Sequence, residues 1–225
     1  PKVGIYDANV DGRAQRIQFT ALIDADRSPN FGYSLYYRKS SLFGSLANLE
    51  LGYSQINTGV SIGEEPEFAV LMRLNRPLVS PYSRWAGGVE VSRNWSENVY
   101  NDPDTAFLKY NYKIFDGWVG YNFGIRKPIE NRNRLFLALR YFNGYYLDQP
   151  EQEEYQEERK YNNAFGYLSE FTFYRQDFYK TRYVFGFGST EDVPYGINVS
   201  VSGGYIKQLN RERPYLGFKF DYSRA

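Results

Sequence analysis

Apolar and polar residues alternate with a period of two along almost the whole chain. Within 16–25, Ile17, Phe19, Ala21 and Ile23 share one face, opposed by Arg16, Gln18, Thr20 and Asp24, with Leu22 the exception. The next segment sets Phe31, Tyr33, Leu35 and Tyr37 against Gly32, Ser34, Tyr36 and Arg38. Ala47, Leu49, Leu51 and Tyr53 then oppose Asn48, Glu50, Gly52 and Ser54, and Val89, Val91, Val199 and Val201 continue the rule further on. Successive side chains of a strand point to opposite faces, so each segment has one apolar and one polar surface. That pattern predicts antiparallel sheet.

About eleven strands follow, at 14–26, 31–39, 43–56, 67–76, 84–97, 105–125, 133–146, 160–174, 178–189, 195–207 and 214–223. The segment 105–125 reads two ways. Asp116-Gly117 is a hairpin signal, and apolar parity flips there, from Leu108, Tyr110, Tyr112 and Ile114 to Val119, Tyr121, Phe123 and Ile125. A bulge also flips parity. Long polar links (57–66, 98–104, 147–159) alternate with shorter ones (77–83, 126–132, 175–177) only if 105–125 is one strand, so a bulged strand is predicted. Residues 1–13 read as a linker or the end of a preceding domain, and 14–225 as one β domain, incomplete at its C-terminus, from a processed or excised piece of a longer chain.

Long strands, short links at one end and long polar links at the other describe an all-β, antiparallel transmembrane β-barrel. The same alternation would also suit a soluble barrel or sandwich with its apolar face inside. Strand length and aromatic load favour the membrane: several strands exceed the roughly 9–11 residues a spanning strand needs. The 225 residues include 23 Tyr, 17 Phe and 3 Trp. Tyr33, Tyr53, Tyr82, Trp95, Tyr145, Tyr146, Tyr174 and Tyr179 recur near strand ends, where interfacial girdles place aromatics.

Composition narrows the chemistry. Cysteine and histidine are absent, which removes disulfides, thiolate nucleophiles, imidazole metal sites and a histidine base. A net charge of +1 offers no electrostatic reason to expect nucleic acid. Mean hydropathy is −0.60, yet so aromatic a chain is not a disordered one. The apolar stretches are far shorter than the roughly 20 residues of a spanning helix.

Three segments resemble the barrel of the BamA/TamA superfamily of outer-membrane assembly factors, the bacterial surface antigen family. Arg16 to Tyr53, running through Ser40-Ser41-Leu42-Phe43-Gly44-Ser45, is similar to the family's opening three strands. Leu74-Asn75-Arg76-Pro77-Leu78-Val79-Ser80-Pro81-Tyr82-Ser83-Arg84-Trp85-Ala86-Gly87-Gly88 is similar to a turn found in some members. Glu191-Asp192-Val193-Pro194-Tyr195-Gly196, followed by Ser202-Gly203-Gly204-Tyr205, is the third. The family's POTRA modules, its Val-Arg-Gly-Phe/Tyr lumen loop and a terminal aromatic signal have no counterpart here. The resemblance therefore implies about eleven strands of a larger, sixteen-stranded barrel in the bacterial outer membrane. Its implied partners are outer-membrane lipid, nascent outer-membrane proteins and other assembly-machinery subunits. It also implies a lateral gate, the first strand unzipping to receive an incoming strand by β-augmentation. Here that strand would be Arg16, Ile17, Gln18, Phe19, Thr20, Ala21 and Leu22.

Few residues point to other chemistry. No Gly-x-Ser-x-Gly elbow occurs, and Phe185-Gly186-Phe187-Gly188 lacks the rest of a dinucleotide fingerprint. The run Glu151-Gln152-Glu153-Glu154-Tyr155-Gln156-Glu157-Glu158 offers oxygen ligands to a divalent cation, but a solvated loop explains it more simply. Turn chemistry explains Asn101-Asp102-Pro103-Asp104. Arg16, Asp24, Arg38, Glu50, Arg73 and Glu90 alternate away from the apolar face and are expected to pair across the interior. No catalytic group, cofactor or metal is expected. The expected function is assembly or translocation of outer-membrane proteins; the alternatives are a passive channel, a structural barrel, or the anchor of a hydrolase encoded elsewhere.

Overall fold

The computed structural model describes residues 1–56, 65–78, 83–123, 133–182 and 190–224. These form one antiparallel sheet of eleven strands: β1 (Lys2–Val10), β2 (Gln15–Ile23), β3 (Phe31–Lys39), β4 (Asn48–Ser54), β5 (Glu67–Arg76), β6 (Trp85–Ser96), β7 (Asn111–Phe123), β8 (Asn133–Asp148), β9 (Ala164–Arg182), β10 (Thr190–Gln208) and β11 (Arg211–Ser223). Each strand pairs with its neighbours in sequence, an up-and-down meander with β1 and β11 at its edges. The one α-helical turn among the described residues is α1 (Glu153–Gln156). The fully described links at one end, here the loop end, are 24–30, 97–110, 149–163 and the tight pair 209–210. Those at the other, the turn end, are 11–14 and 40–47.

The number of strands matches the alternation, but they are not the same eleven. Residues 1–13 are neither linker nor preceding domain: Lys2–Val10 pairs with β2 from Lys2↔Leu22 to Val10↔Gln15. Its alternation is short because the register shifts between Asp7 and Val10. The two strands expected at 160–174 and 178–189 are, as far as described, one strand, β9. The supposed turn Arg175-Gln176-Asp177 sits inside the ladder, opposite Ile197, Gly196 and Tyr195. Three polar residues in a row look like a turn, but the β10 backbone supplies their hydrogen bonds. The strand expected at 43–56 begins later, at Asn48, after a 3₁₀ turn over Leu42–Gly44. The link 126–132, residues 79–82 of the quoted turn and Phe185–Gly188 lie outside the described residues.

Of the strand expected at 105–125, residues 111–123 form a single strand, beginning six residues later and without the bulge, and 124–125 lie outside the described residues. Pairing with β6 is unbroken from Trp85↔Tyr121 to Trp95↔Asn111, and the one shift against β8 falls between Asn111 and Tyr112. Apolar parity flips because the environment changes along a regular strand. Phe115, Val119 and Phe123 are exposed on one face, while Tyr112 is buried on the other, in an apolar cluster at the loop end.

Burial is inverted relative to a globular sheet. On the apolar face, Val70 and Leu139 are 47% and 53% exposed, whereas Asn94 and Asn122 on the polar face are each 1% exposed. A single-layer sheet can bury small polar side chains only by curling around them. The polar face is therefore the inner one. The curl brings β9 and β10 very close: a Cβ on Gly204 would lie 2.2 Å from the Tyr167 carbonyl oxygen, and one on Gly166 2.8 Å from that of Tyr205. Gly204→Ala forces the two backbones apart and should cost about 1–3 kcal/mol, read as a lower urea midpoint in detergent. An unchanged midpoint would refute the close approach.

Candidate functional site

The register stacks charged residues into a ladder across the polar face. Arg16 lies opposite Arg38, Arg38 opposite Glu50, Glu50 opposite Arg73, Arg73 opposite Glu90 and Glu90 opposite Asp116. Arg73 is its centre: Nη1 lies 3.0 Å from Glu50 Oε2 and Nη2 lies 2.6 Å from Glu90 Oε2. Arg38 Nε is 3.6 Å from Glu50 Oε1. Arg140 extends the ladder to β8, its Nε donating to Asp116 Oδ1 at 2.9 Å. On β9, Glu170 accepts from Thr172 Oγ1 at 3.1 Å and Ser202 Oγ at 3.2 Å. Arg16, at the other end, lies over the Tyr6 ring, 4.5 Å from its centroid.

Arg16, Arg38, Glu50, Arg73 and Glu90 are thus brought together, but Asp24 is not. It follows the end of β2, in the 24–30 loop, where its Oδ2 accepts from the Tyr100 hydroxyl at 3.1 Å. Asp116 and Arg140 complete the ladder unforeseen. Asp116-Gly117 carries a hairpin signal and is expected to mark a bulge, and Arg140 becomes a partner only through the β7–β8 register, which sets it opposite Trp118, the next inward position.

The predicted gate strand is an inner strand. Arg16, Ile17, Gln18, Phe19, Thr20, Ala21 and Leu22 all lie in β2; all seven pair with β3, and Ile17 to Leu22 also pair with β1 from Asp7 to Lys2. The main-chain groups of those six are engaged in two ladders. The free edges among the described residues belong to β1 and β11.

A second polar-face feature sits at the loop end. Leu108, Tyr110, Tyr112 and Tyr161 form a buried cluster with Ile114, Tyr146 and Tyr155 packed against it. Glu67 is fully buried beside it and accepts from the Tyr112 hydroxyl at 2.9 Å. The acidic run 151–158 contributes the turn α1, docked here through Tyr155, edge-on to Tyr161 at 5.6 Å, and through Gln152 Nε2, 3.0 Å from the Phe107 carbonyl. No group of three or more acidic side chains among the described residues is placed to hold a metal. Burial, then the Glu67 carboxylate, pushes the Tyr110 phenol well above its ordinary range.

The expected girdle aromatics divide. Tyr33 and Tyr53 pack side by side at 5.4 Å on the apolar face, and Trp95 stacks on Phe68 at 5.9 Å, all towards the loop end. Tyr146 faces inward instead, stacked on Tyr112 at 5.1 Å. Tyr174 also faces inward, opposite Arg134 and Asn198. Tyr82 lies outside the described residues. At the turn end, Trp85 meets Tyr121 edge-on at 4.7 Å.

No family model, curated protein or solved structure matches the chain.

Arg73→Met strips Glu90 of its partner and leaves Glu50 only the longer contact with Arg38. It should lower unfolding free energy by about 1–2 kcal/mol, since the site is partly open to water. A cycle with Glu90→Gln should give a positive coupling energy; zero coupling would dissolve the ladder's centre. Tyr112→Phe should cost about 1.5–3 kcal/mol by removing a buried donor from a carboxylate. Tyr110 stays protonated in the folded chain while the unfolded chain ionises above about pH 10. Its contribution is therefore complete below that pH and falls as pH rises through it. Tyr110→Phe should flatten the loss of stability measured between neutral and strongly alkaline pH, and an identical pH profile would count against the assignment.

Proposed function

We propose that the chain is the wall of a transmembrane β-barrel in the bacterial outer membrane, and that the barrel assembles or translocates outer-membrane proteins by strand pairing. The inverted burial carries the membrane reading. An apolar outer face and a polar inner one suit hydrocarbon outside and water within. The aromatic pairs toward the two strand ends suit the two interfaces.

The assembly reading is supported by the unpaired edges and by the sequence resemblance to outer-membrane assembly factors. Outward side chains of the inner strands are half-exposed, but at the edges Val3 reaches 62% and Phe218 71%. Among the described residues, both edges lack a neighbour's cover. β1 and β11 also run in the same direction, because an odd number of strands separates like ends of a meander. They cannot close on each other as an antiparallel pair. An incoming strand would find free N–H and C=O groups on β1 or β11, and main-chain hydrogen bonds are how β-augmentation gains affinity. The gate thereby moves from Arg16–Leu22 to the edges. The proposal gives the chain no catalytic step and no cofactor.

The paired charge ladder favours a second reading, a structural barrel or passive channel. It braces the wall and leaves few free charges to select an ion. Two experiments separate these possibilities. Leu139→Arg should cost about 2–4 kcal/mol if that face meets lipid, whereas on a water-facing surface it stays within about 0.5 kcal/mol. Cysteines placed at Val3, Ile5, Phe218 and Phe220 of this cysteine-free chain should crosslink to nascent barrel strands, and one at Phe19 should not. Background crosslinking from every edge position, with steady conductance after reconstitution, would replace the assembly reading by the channel.

A further inference from the structure

At the loop end, the 149–163 link and the β10–β11 hairpin enclose an open basin of about 840 Å³. Arg159, Lys207, Arg211 and Arg213 line it, against a single carboxylate, Glu157. Lys207 is already paired, 3.3 Å from Glu212. Arg159, Arg211 and Arg213 have no carboxylate partner among the described residues. From Arg38 to Arg140 the ladder sets each inward arginine against a carboxylate. Here three guanidinium groups line one open basin.

The basin is also built. Gln208 Nε2 donates to the Arg159 carbonyl at 2.8 Å, tying the loop to the hairpin. Asn162 Nδ2 donates to the Gln156 and Glu158 carbonyls, each at 2.8 Å, which fixes the loop's own shape. On the hairpin, Arg211 pairs with Gln208 and Arg213 with Ile206, so the two arginines share one face of β11. The turn between the strands holds Leu209 and Asn210 at φ 51° and 54°. That conformation is uncommon for leucine, so the surrounding structure holds the hairpin in place.

We propose that this basin binds a phosphate monoester through Arg159, Arg211 and Arg213. A guanidinium presents a rigid fork of donors, and a dianionic phosphate has oxygens enough to accept from several forks at once. A lone carboxylate would satisfy only one or two of them. The phosphate could belong to a lipid headgroup, because Leu216, on the apolar face of the same hairpin, is exposed, or to a soluble compound. Only the lipid source rests on the membrane reading above.

The test uses the full chain in zwitterionic detergent, titrated calorimetrically with inorganic phosphate, and the chain in phosphatidylcholine nanodiscs with and without phosphatidic acid. Saturable binding is expected in at least one arm. Arg211→Gln with Arg213→Gln should weaken it roughly ten-fold or more, each lost charge-assisted bond being among the stronger kinds. Lys219→Gln, on the same strand but paired with Asp221 at 3.0 Å, should leave it unchanged. Binding only to phosphatidic acid nanodiscs identifies a lipid headgroup; binding of inorganic phosphate in detergent identifies a soluble ligand. Saturation in neither arm, or equal affinity in the double variant, overturns the site. The detergent arm reads out even for a chain that fails to enter nanodiscs, so loss of the membrane reading and loss of the site are separable.

Discussion

An antiparallel register that shifts only at the loop end of β7 and the turn end of β1 governs the described residues. Each strand hydrogen-bonds to its neighbours in sequence, and along most of each ladder one residue opposes one residue. The pleat sends alternate side chains to opposite faces. A slip of one residue would turn every apolar side chain inward and every charge outward. The register therefore separates the two faces and also sets Arg38, Glu50, Arg73, Glu90 and Asp116 in one row.

That row alternates in sign where contact is closest, with Arg73 between two carboxylates and Arg140 against Asp116. Opposite charges on neighbouring strands attract only in the native register, so the ladder opposes slippage as well as adding stability. The aromatic cluster at the loop end fills the same polar face by other means. Tyr110, Tyr112 and Tyr161 bury their rings, and Glu67 shares a hydrogen bond with the Tyr112 hydroxyl. One inner face thus holds a charged middle and an apolar cap, and β7 crosses from one to the other without a bulge.

The strand ends differ in how their charge is settled. From Arg38 to Arg140 charge is matched within the wall, whereas the basin under the β10–β11 hairpin keeps three arginines unmatched. Among the described residues, the edges β1 and β11 keep main-chain groups unmatched. These are the places where the molecule has interactions to offer.

Period two alone established an antiparallel sheet of about eleven strands with one apolar and one polar face, and it picked out most of the charge ladder. Alternation is a local property of the backbone, so it survives without knowledge of partners. It failed where local signals conflict with the ladder. Arg175-Gln176-Asp177 looked like a turn, Asp116-Gly117 hid a ladder carboxylate, and residues 1–13 read as a linker or preceding domain although Lys2–Val10 is a strand. Three decisions belonged to tertiary structure: that Arg16–Leu22 lies inside the sheet, that Tyr112 turns inward, and that Arg159 meets Arg211 and Arg213. Each depends on which strand or loop lies alongside, and strands distant in sequence are aligned only by the hydrogen bonds between them.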